Sequence, residues 1–430
     1  MKGNAKFIYE QVDKHHDWFS KSIPMIASEN IISPLARELL ICDFHDRYAE
    51  GGPGERYYQG NIYVDEVEIR IQKLAEKLFD AQYSDVRPIS GTVANMAVLM
   101  AFGGPDKKIT SVDVSSGAHI SSAPFGAVGL RGMAPITYPF NVEEMNIDVD
   151  GTRKMILEEK PDVALFGQSV FLFPTPIKEL EDALQEAGSR VWYDGAHVLG
   201  LIAGGKFQDP LREGVEVMTG STHKTLPGPQ HGILIANPRS DEDREKLFWG
   251  MFPGVLSNHH LHAMAALGVT LAEHMEFGKE YARQIIKNAK ALGQALYERE
   301  FDVVCPNKGF TESHTIAMDV REYGGGETSV EEMEEANLIA NKNLMPWDDV
   351  DSAQEPSGIR LGSQELTRLG MKESHMDEVA DFMKRVIIDG EDPKAVKKDV
   401  EEFRKDFQGI HYCYKEGMPA HKRFKFLDKY

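Results

Sequence analysis

At 430 residues the chain is longer than one small core can serve, and 42% hydrophobic against 27% charged residues is the balance of a folded protein, not a disordered one. A formal charge of −20 repels phosphate backbones and argues against nucleic acid as a main partner. Cys42, Cys305 and Cys413 are too scattered for a disulfide framework or a metal pair, Met1 to Gln11 lacks the apolar core of a signal peptide, and no run approaches the roughly eighteen apolar residues of a membrane span. The expectation is a cytoplasmic protein without a membrane partner.

Residues 1–32 read as a helical arm that leads to Pro24-Met-Ile-Ala-Ser28-Glu-Asn30. Ser33-Pro34 is an N-cap followed by proline at the first helical position, so a helix starts there. Asp46 to Tyr63, rich in Gly, Tyr and charge, is expected as a long ordered loop. From Asp65 the chain is helical again, with Val67, Ile71, Leu74 and Leu78 on one face. Short apolar runs then alternate with helical or turn stretches: Val86 to Ile89, Ile109 to Val114, Val163 to Phe166, Val191 to Tyr193, Val215 to Met218 and Gly232 to Ala236. Thr175-Pro176 and Asp209-Pro210 mark helix starts between them. This alternation predicts an α/β fold with a mostly parallel sheet covered on both faces. A long amphipathic stretch, Leu261 to Arg299, precedes strands at Val303-Val304 and Thr315 to Val320, a helix after the capping box Thr328-Ser-Val-Glu331, and terminal helices. The charge run Lys397 to Lys405 reads as the solvated face of one of them. The expected division is an arm over 1–32, a large domain over 33–275 and a smaller α/β domain over 276–430.

Lys224 stands at a strand end, in Ser221-Thr-His-Lys224-Thr-Leu-Pro-Gly, thirty residues after Asp194 at the end of Val191-Trp-Tyr-Asp194. That spacing resembles the aminotransferase-like pyridoxal phosphate (PLP) enzymes, in which a strand-end lysine forms an imine with the cofactor and an aspartate pairs with its pyridine nitrogen. Ser90-Gly91-Thr92 follows a strand and opens a helix, a place for the cofactor phosphate, or else an ordinary N-cap. Asp194-Gly195 has the composition of a turn, but the following Ala196-His197-Val-Leu-Gly-Leu-Ile is too apolar for a hairpin tip. His119 is either an aromatic plate for the cofactor ring or a satisfied core histidine. Arg360, flanked by apolar residues, is either paired structurally or reads a carboxylate bidentately. His259, His260 and His262 have no Cys or carboxylate completing a ligand spacing, and no metal is expected.

Together these motifs resemble serine hydroxymethyltransferase, in wording that looks like its archaeal branch. The likeness runs from Ile26-Ala-Ser-Glu-Asn30 through Arg47-Tyr-Ala-Glu-Gly51, Arg56-Tyr-Tyr58, Ser90-Gly91, Asp194-Gly-Ala-His197, Ser221-Thr-His-Lys224 and Phe252-Pro-Gly-Val to Gly358-Ile-Arg360-Leu-Gly. It implies the PLP fold of type I and reversible interconversion of serine and glycine, the one-carbon unit passing to a reduced pterin (tetrahydromethanopterin or tetrahydrofolate). It also implies side cleavage of 3-hydroxy amino acids and a homodimer with shared active sites. By the same resemblance Lys224 holds PLP, Asp194 pairs with the pyridine nitrogen, His119 stacks on the ring, and Ser169 and His197 lie near the phenolic oxygen. Ser90, Gly91 and His223 hold the phosphate, with Tyr48 and the backbone around Ser257 and Asn258 reaching over from a second subunit. Ser28, Tyr58 and Arg360 take the substrate carboxylate, and Glu50 is the acid/base carboxyl beside the serine hydroxyl. Two positions depart from the family pattern: Gln230 where many relatives have arginine, and Leu256-Ser-Asn258 where they have Gln-Gly-Gly. A threonine-aldolase-like lyase and a catalytically silent PLP-binding homologue are the alternatives.

Overall fold

A computed structural model describes residues 3–423. Its central sheet has seven strands: β1 (Tyr83–Asp85), β2 (Ile109–Ser111), β3 (Pro135–Thr137), β4 (Val163–Phe166), β5 (Arg190–Asp194), β6 (Val217–Ser221) and β7 (Gly232–Ala236). They lie in the order β1-β7-β6-β5-β4-β2-β3. Neighbours run parallel except at β7, which is antiparallel to both β1 and β6. Successive residues face opposite layers, as the strand repeat requires. Ala164, Phe166, Tyr193, Ile233 and Ile235 enter one core with helices Ile62–Phe79 and Leu261–Tyr297. Val163, Leu165, Trp192, Leu234 and Ala236 enter the other, with helices Gly91–Phe102 and Asp241–Met251. Burial on both faces is why these strands read as apolar runs without alternation.

Two strand expectations change. Val86 to Ile89 is not a strand; pairing stops at Asp85, beyond which Arg87 turns back onto the Asp85 carboxylate (2.9 and 2.5 Å) and Pro88 has no N–H to offer a ladder. Pro135–Thr137 is a strand that the pattern did not announce. It is the sheet edge, half exposed, where a leading proline is tolerated.

The C-terminal half holds a four-stranded antiparallel sheet of β8 (Asp302–Val303), β9 (Thr315–Asp319), β10 (Asn341–Asn343) and β11 (Gly358–Gly362), in the order β8-β9-β11-β10. The helix beside it spans Gly325–Glu335, so Thr328 to Glu331 lies inside the helix and is not its capping box. Gly324 makes the start, at φ 92°, a left-handed turn that spares the need for a side-chain cap. Helix Leu261–Tyr297 runs unbroken through residue 276: up to Ile285 it serves the large core, and from Ala289 to Leu296 the small one.

The arm is a helix, Asn4–Phe19, followed by Ile23–Pro24, which pairs in parallel with Leu338–Ile339 of the small domain. Gly362 N–H donates to Met25 O (2.7 Å), and the Gln364 amide donates to Ile26 O and Glu29 O (both 2.7 Å). Ser33 caps the next helix, Pro34–Leu39, as its sequence says, by accepting from Ala36 N–H. Among the described residues no helix is long and apolar enough to cross a membrane.

Candidate active site

The C-terminal ends of β5 and β6 bring Asp194 and the Ser221 to Lys224 turn side by side. A cavity of about 350 Å³ opens there, and Ser28, His119, Ser169, His197, Lys224 and Arg360 all line it. Six site residues expected from six separate stretches of sequence thus share one space. The lysine turn is fixed from several sides. Thr222 Oγ1 donates to Pro229 O (2.8 Å), Thr225 Oγ1 to His197 O (2.7 Å), and Asn30 Nδ2 to Lys224 O (2.6 Å). Lys224 is buried, and burial pushes its amine down to about 8; Arg360 pushes the same way and Asp194 opposes.

Asp194 accepts one bond on each oxygen, from Ala196 N–H (3.0 Å) and from Asn95 Nδ2 (2.8 Å). His119 Nδ1 accepts from Ser121 N–H (3.1 Å), and Ser121 Oγ lies 2.8 Å from the same nitrogen. Burial lowers the imidazole's proton affinity, so the ring is neutral at neutral pH with its proton on Nε2. Ser90 caps helix Gly91–Phe102, accepting from Val93 N–H (3.2 Å). A Cβ on Gly91 would meet Ser221 Oγ at 2.4 Å and Ser221 N at 3.3 Å, so any larger residue must displace the Ser221 side chain where the helix start approaches β6. These residues fit PLP: Asp194 is held by neutral donors alone, Lys224 is buried, and the start of helix Gly91–Phe102 stands beside them.

Arg360, on β11, is buried and pushed down to about 10 by desolvation. Its guanidinium donates to Ser169 O (3.0 Å) and twice to Asn341 Oδ1 (3.3 and 3.2 Å), and no carboxylate among the described residues pairs with it. His197 is fully buried and pushed well below the usual imidazole range by burial. It stacks on His314 (5.6 Å between ring centres), whose Nε2 donates to Ala27 O (3.1 Å), next to Ser28.

Tyr48, Glu50 and Tyr58 do not line this cavity. They lie on the 46–61 loop, where both tyrosines are exposed and their rings meet edge to face at 4.8 Å. The loop is nonetheless rigidly held. Buried Arg56 donates to Ala49 O (2.8 Å) and Gly51 O (2.7 Å), either side of Glu50, and pairs with Asp65 (2.8 Å) and Glu68 (2.5 Å). Asn61 Nδ2 donates to the carbonyls of Tyr48 and Tyr58. Asn258 accepts from Ala49 N–H (2.9 Å) and donates to Arg47 O (3.3 Å), bracketing Tyr48, while Ser257 is exposed beside it. His223 faces a second cavity, of about 380 Å³, together with Gln230, and its buried Nδ1 has no partner there. Leu256 is buried in the core around Trp192, so it offers nothing to a ligand. The histidine cluster divides: His259 Nε2 sits 3.2 Å from Glu68 Oε2, and His262 meets His45 edge to face.

Asn95, Asn30 and His314 were not singled out from sequence. The available signal was a lone amide inside the apolar Val93-Ala-Asn95-Met-Ala, since a buried polar group needs a partner. For Asn30 and His314, whose partners lie far along the chain, sequence held no comparable signal.

The model of the family described as serine hydroxymethyltransferase matches residues 2–383. The chain is 54% identical to a serine hydroxymethyltransferase of Picrophilus torridus over 416 residues, 97% of this chain and 96% of that one. It is 52% identical to one of Methanocaldococcus jannaschii, covering 99% and 98%. Among solved structures it superposes with TM-score 0.85, at 26% identity and over 95% and 93% of the two chains, on an L-threonine transaldolase from Pseudomonas fluorescens in its internal aldimine state.

Proposed function

Because this chain belongs to the serine hydroxymethyltransferase family and is a PLP-dependent transferase, we propose that it moves the side-chain carbon of serine reversibly to a reduced pterin, leaving glycine. When bound, PLP supplies the electron sink for the pair released as the α–β bond breaks. The protein's residues bind, orient and move protons. With its amine lowered to about 8, Lys224 has far more free base at neutral pH than an ordinary lysine, which suits it to attack the cofactor carbonyl. Asp194 presents a fixed acceptor to the ring nitrogen, His119 a neutral plate to the ring face, and Ser90 with Gly91 a helix N-terminus to the phosphate. Ser169 and His197 line the same cavity and would face the cofactor's phenolic oxygen. Arg360 and Ser28 take the serine carboxylate.

The observation that carries this reading is Arg360, a buried cation with only neutral partners, facing the same cavity as the lysine amine. A guanidinium so placed lacks the carboxylate that would offset its burial, and an amino-acid substrate brings one. The test is serine turnover by the purified holoenzyme with and without pterin: glycine forms rapidly only with pterin. Equally fast pterin-independent release would sink the transferase reading.

The finer assignments rest on the same reading. The active unit is a homodimer with shared sites, because Tyr48, Glu50 and Tyr58 are anchored on a stiff exposed loop away from their own chain's cavity. Beside that loop a mostly apolar groove of about 780 Å³, lined by Leu39, Phe44, Val67, Ile71, Leu74 and Val269, offers the second copy a surface to cover. Across it Glu50 serves as the acid/base carboxyl and Tyr58 joins the carboxylate site. The preferred carrier is a methanopterin-type pterin, a reading that rests on the likeness to archaeal relatives. Slow cleavage of 3-hydroxy amino acids without pterin is the side activity, and the likeness to a threonine transaldolase favours it. The setting is the cytoplasm.

A further inference from the structure

We propose that Asn95 and Thr219 are positioning residues that fix both the edge and the face of the cofactor site through one hydrogen-bond relay, whose direction is set by the indole of Trp192. Trp192 Nε1–H can only donate, and it donates to Thr219 Oγ1 (2.9 Å). The Thr219 hydroxyl proton is thereby directed onward, to Asn95 Oδ1 (2.6 Å). An amide whose oxygen is occupied in this way must turn its nitrogen outward, and Asn95 Nδ2 donates to Asp194 Oδ2 (2.8 Å). The second amide proton points to Ser121 Oγ at 3.5 Å, and that hydroxyl sits 2.8 Å from His119 Nδ1, which already accepts Ser121 N–H.

Trp192, Thr219, Asn95 and Ser121 are buried, so the bonds from the indole through Thr219 to Asn95 are shielded from water. The relay starts on a donor-only indole and ends on the Asp194 carboxylate, one oxygen of which receives the Asn95 amide N–H. The flipped amide would place Oδ1 against that carboxylate and leave the Thr219 proton facing an N–H, two buried mismatches at once. Asn95 also sits on the helix whose first residues are Gly91 and Thr92, one turn beyond the phosphate position. A single helix thus spaces the phosphate end of the site from the carboxylate at the pyridine end.

The proposal rests on Asp194 being the partner of the pyridine nitrogen, and the experiment separates the two ideas. Holoenzyme variants Asn95→Leu, which keeps the branched shape, Thr219→Val, which keeps the shape, and Thr219→Ser, which keeps the hydroxyl, are compared with Asp194→Asn. The readouts are the PLP dissociation constant and the pH titration of the bound cofactor's absorbance; a packing role alone could move the first but not the second. Asn95→Leu should weaken PLP binding about ten- to a hundredfold, the effect of one hydrogen bond to a charged group, and shift the titration. Thr219→Val should move both readouts in the same direction and Thr219→Ser restore them. If Asp194→Asn is impaired while Asn95→Leu and Thr219→Val match wild type in both readouts, the relay is overturned and the Asp194 assignment stands. If Asp194→Asn itself matches wild type, both fall. Should Asn95→Leu fail to fold, the Thr219 pair decides by the same criteria.

Discussion

Lys224 has an amine near 8 in the folded chain against an unfolded value of about 10.4. Between those values the unfolded chain holds a proton that the folded chain has shed, so this group makes cofactor-free stability rise with pH across that window. Below about 8 the full penalty of burying the ammonium is present, up to roughly 3 kcal/mol. Cofactor-free Lys224→Met should therefore unfold at higher denaturant than cofactor-free wild type at pH 7, and the gap should close by about pH 10.5; a pH-independent gap would mean the amine is not depressed. Arg360→Lys is the second test at this scale. If Arg360 takes the serine carboxylate as proposed, a point charge cannot reproduce a guanidinium that reads it while bonded to Asn341 and Ser169, and serine affinity should fall about ten- to a hundredfold in a binding titration. Lys224 and His197 were legible in sequence because each sits at a strand end or turn with a distinctive neighbour, and Arg360 because a lone cation stands among the apolar residues of β11. Asn95 was not, because its role depends on what faces it across two strands.

The loop around Glu50 behaves as a braced element. Arg56→Met would leave Glu68 buried with only His259 for company and free the carbonyls on either side of Glu50. Breaking such a pair costs about 3–5 kcal/mol, which thermal unfolding would reveal. Adding Glu68→Leu should recover much of that stability but not the turnover, since the loop stays unanchored; recovery of both would show that the brace has no role in placing Glu50. Sequence showed this loop only as a Gly- and Tyr-rich stretch. Its rigidity comes from side chains of a helix and a turn that pairing rules do not reach. The helix beginning at Gly325 was misplaced for a related reason. A capping-box pattern is local, and the Gly324 turn that starts the helix three residues earlier needs no side chain to announce it.

The whole assembly is tested by mixing two inactive proteins, Lys224→Ala and Glu50→Gln. If Glu50 works in the partner's cavity, heterodimers carry one intact site, and activity should return in part after subunit exchange; none returning would place each site within one chain. The fold class was readable from alternating apolar runs and helices. The expected split at 276 is less simple, since the helix Leu261–Tyr297 supplies side chains to both cores and gives the sequence no break to show.

The stitching of the arm onto the small domain also sets an order of events during synthesis. Ile26 waits for Gln364, 338 residues downstream. At about 5–20 residues per second that is a delay of roughly twenty seconds to a minute. By then β1 to β7 and the lysine turn have long left the ribosome, so on the proposed assignments the half of the site that would hold the cofactor emerges well before the half that would grip the amino acid. A nascent chain in that interval can meet its vitamin but not its substrate.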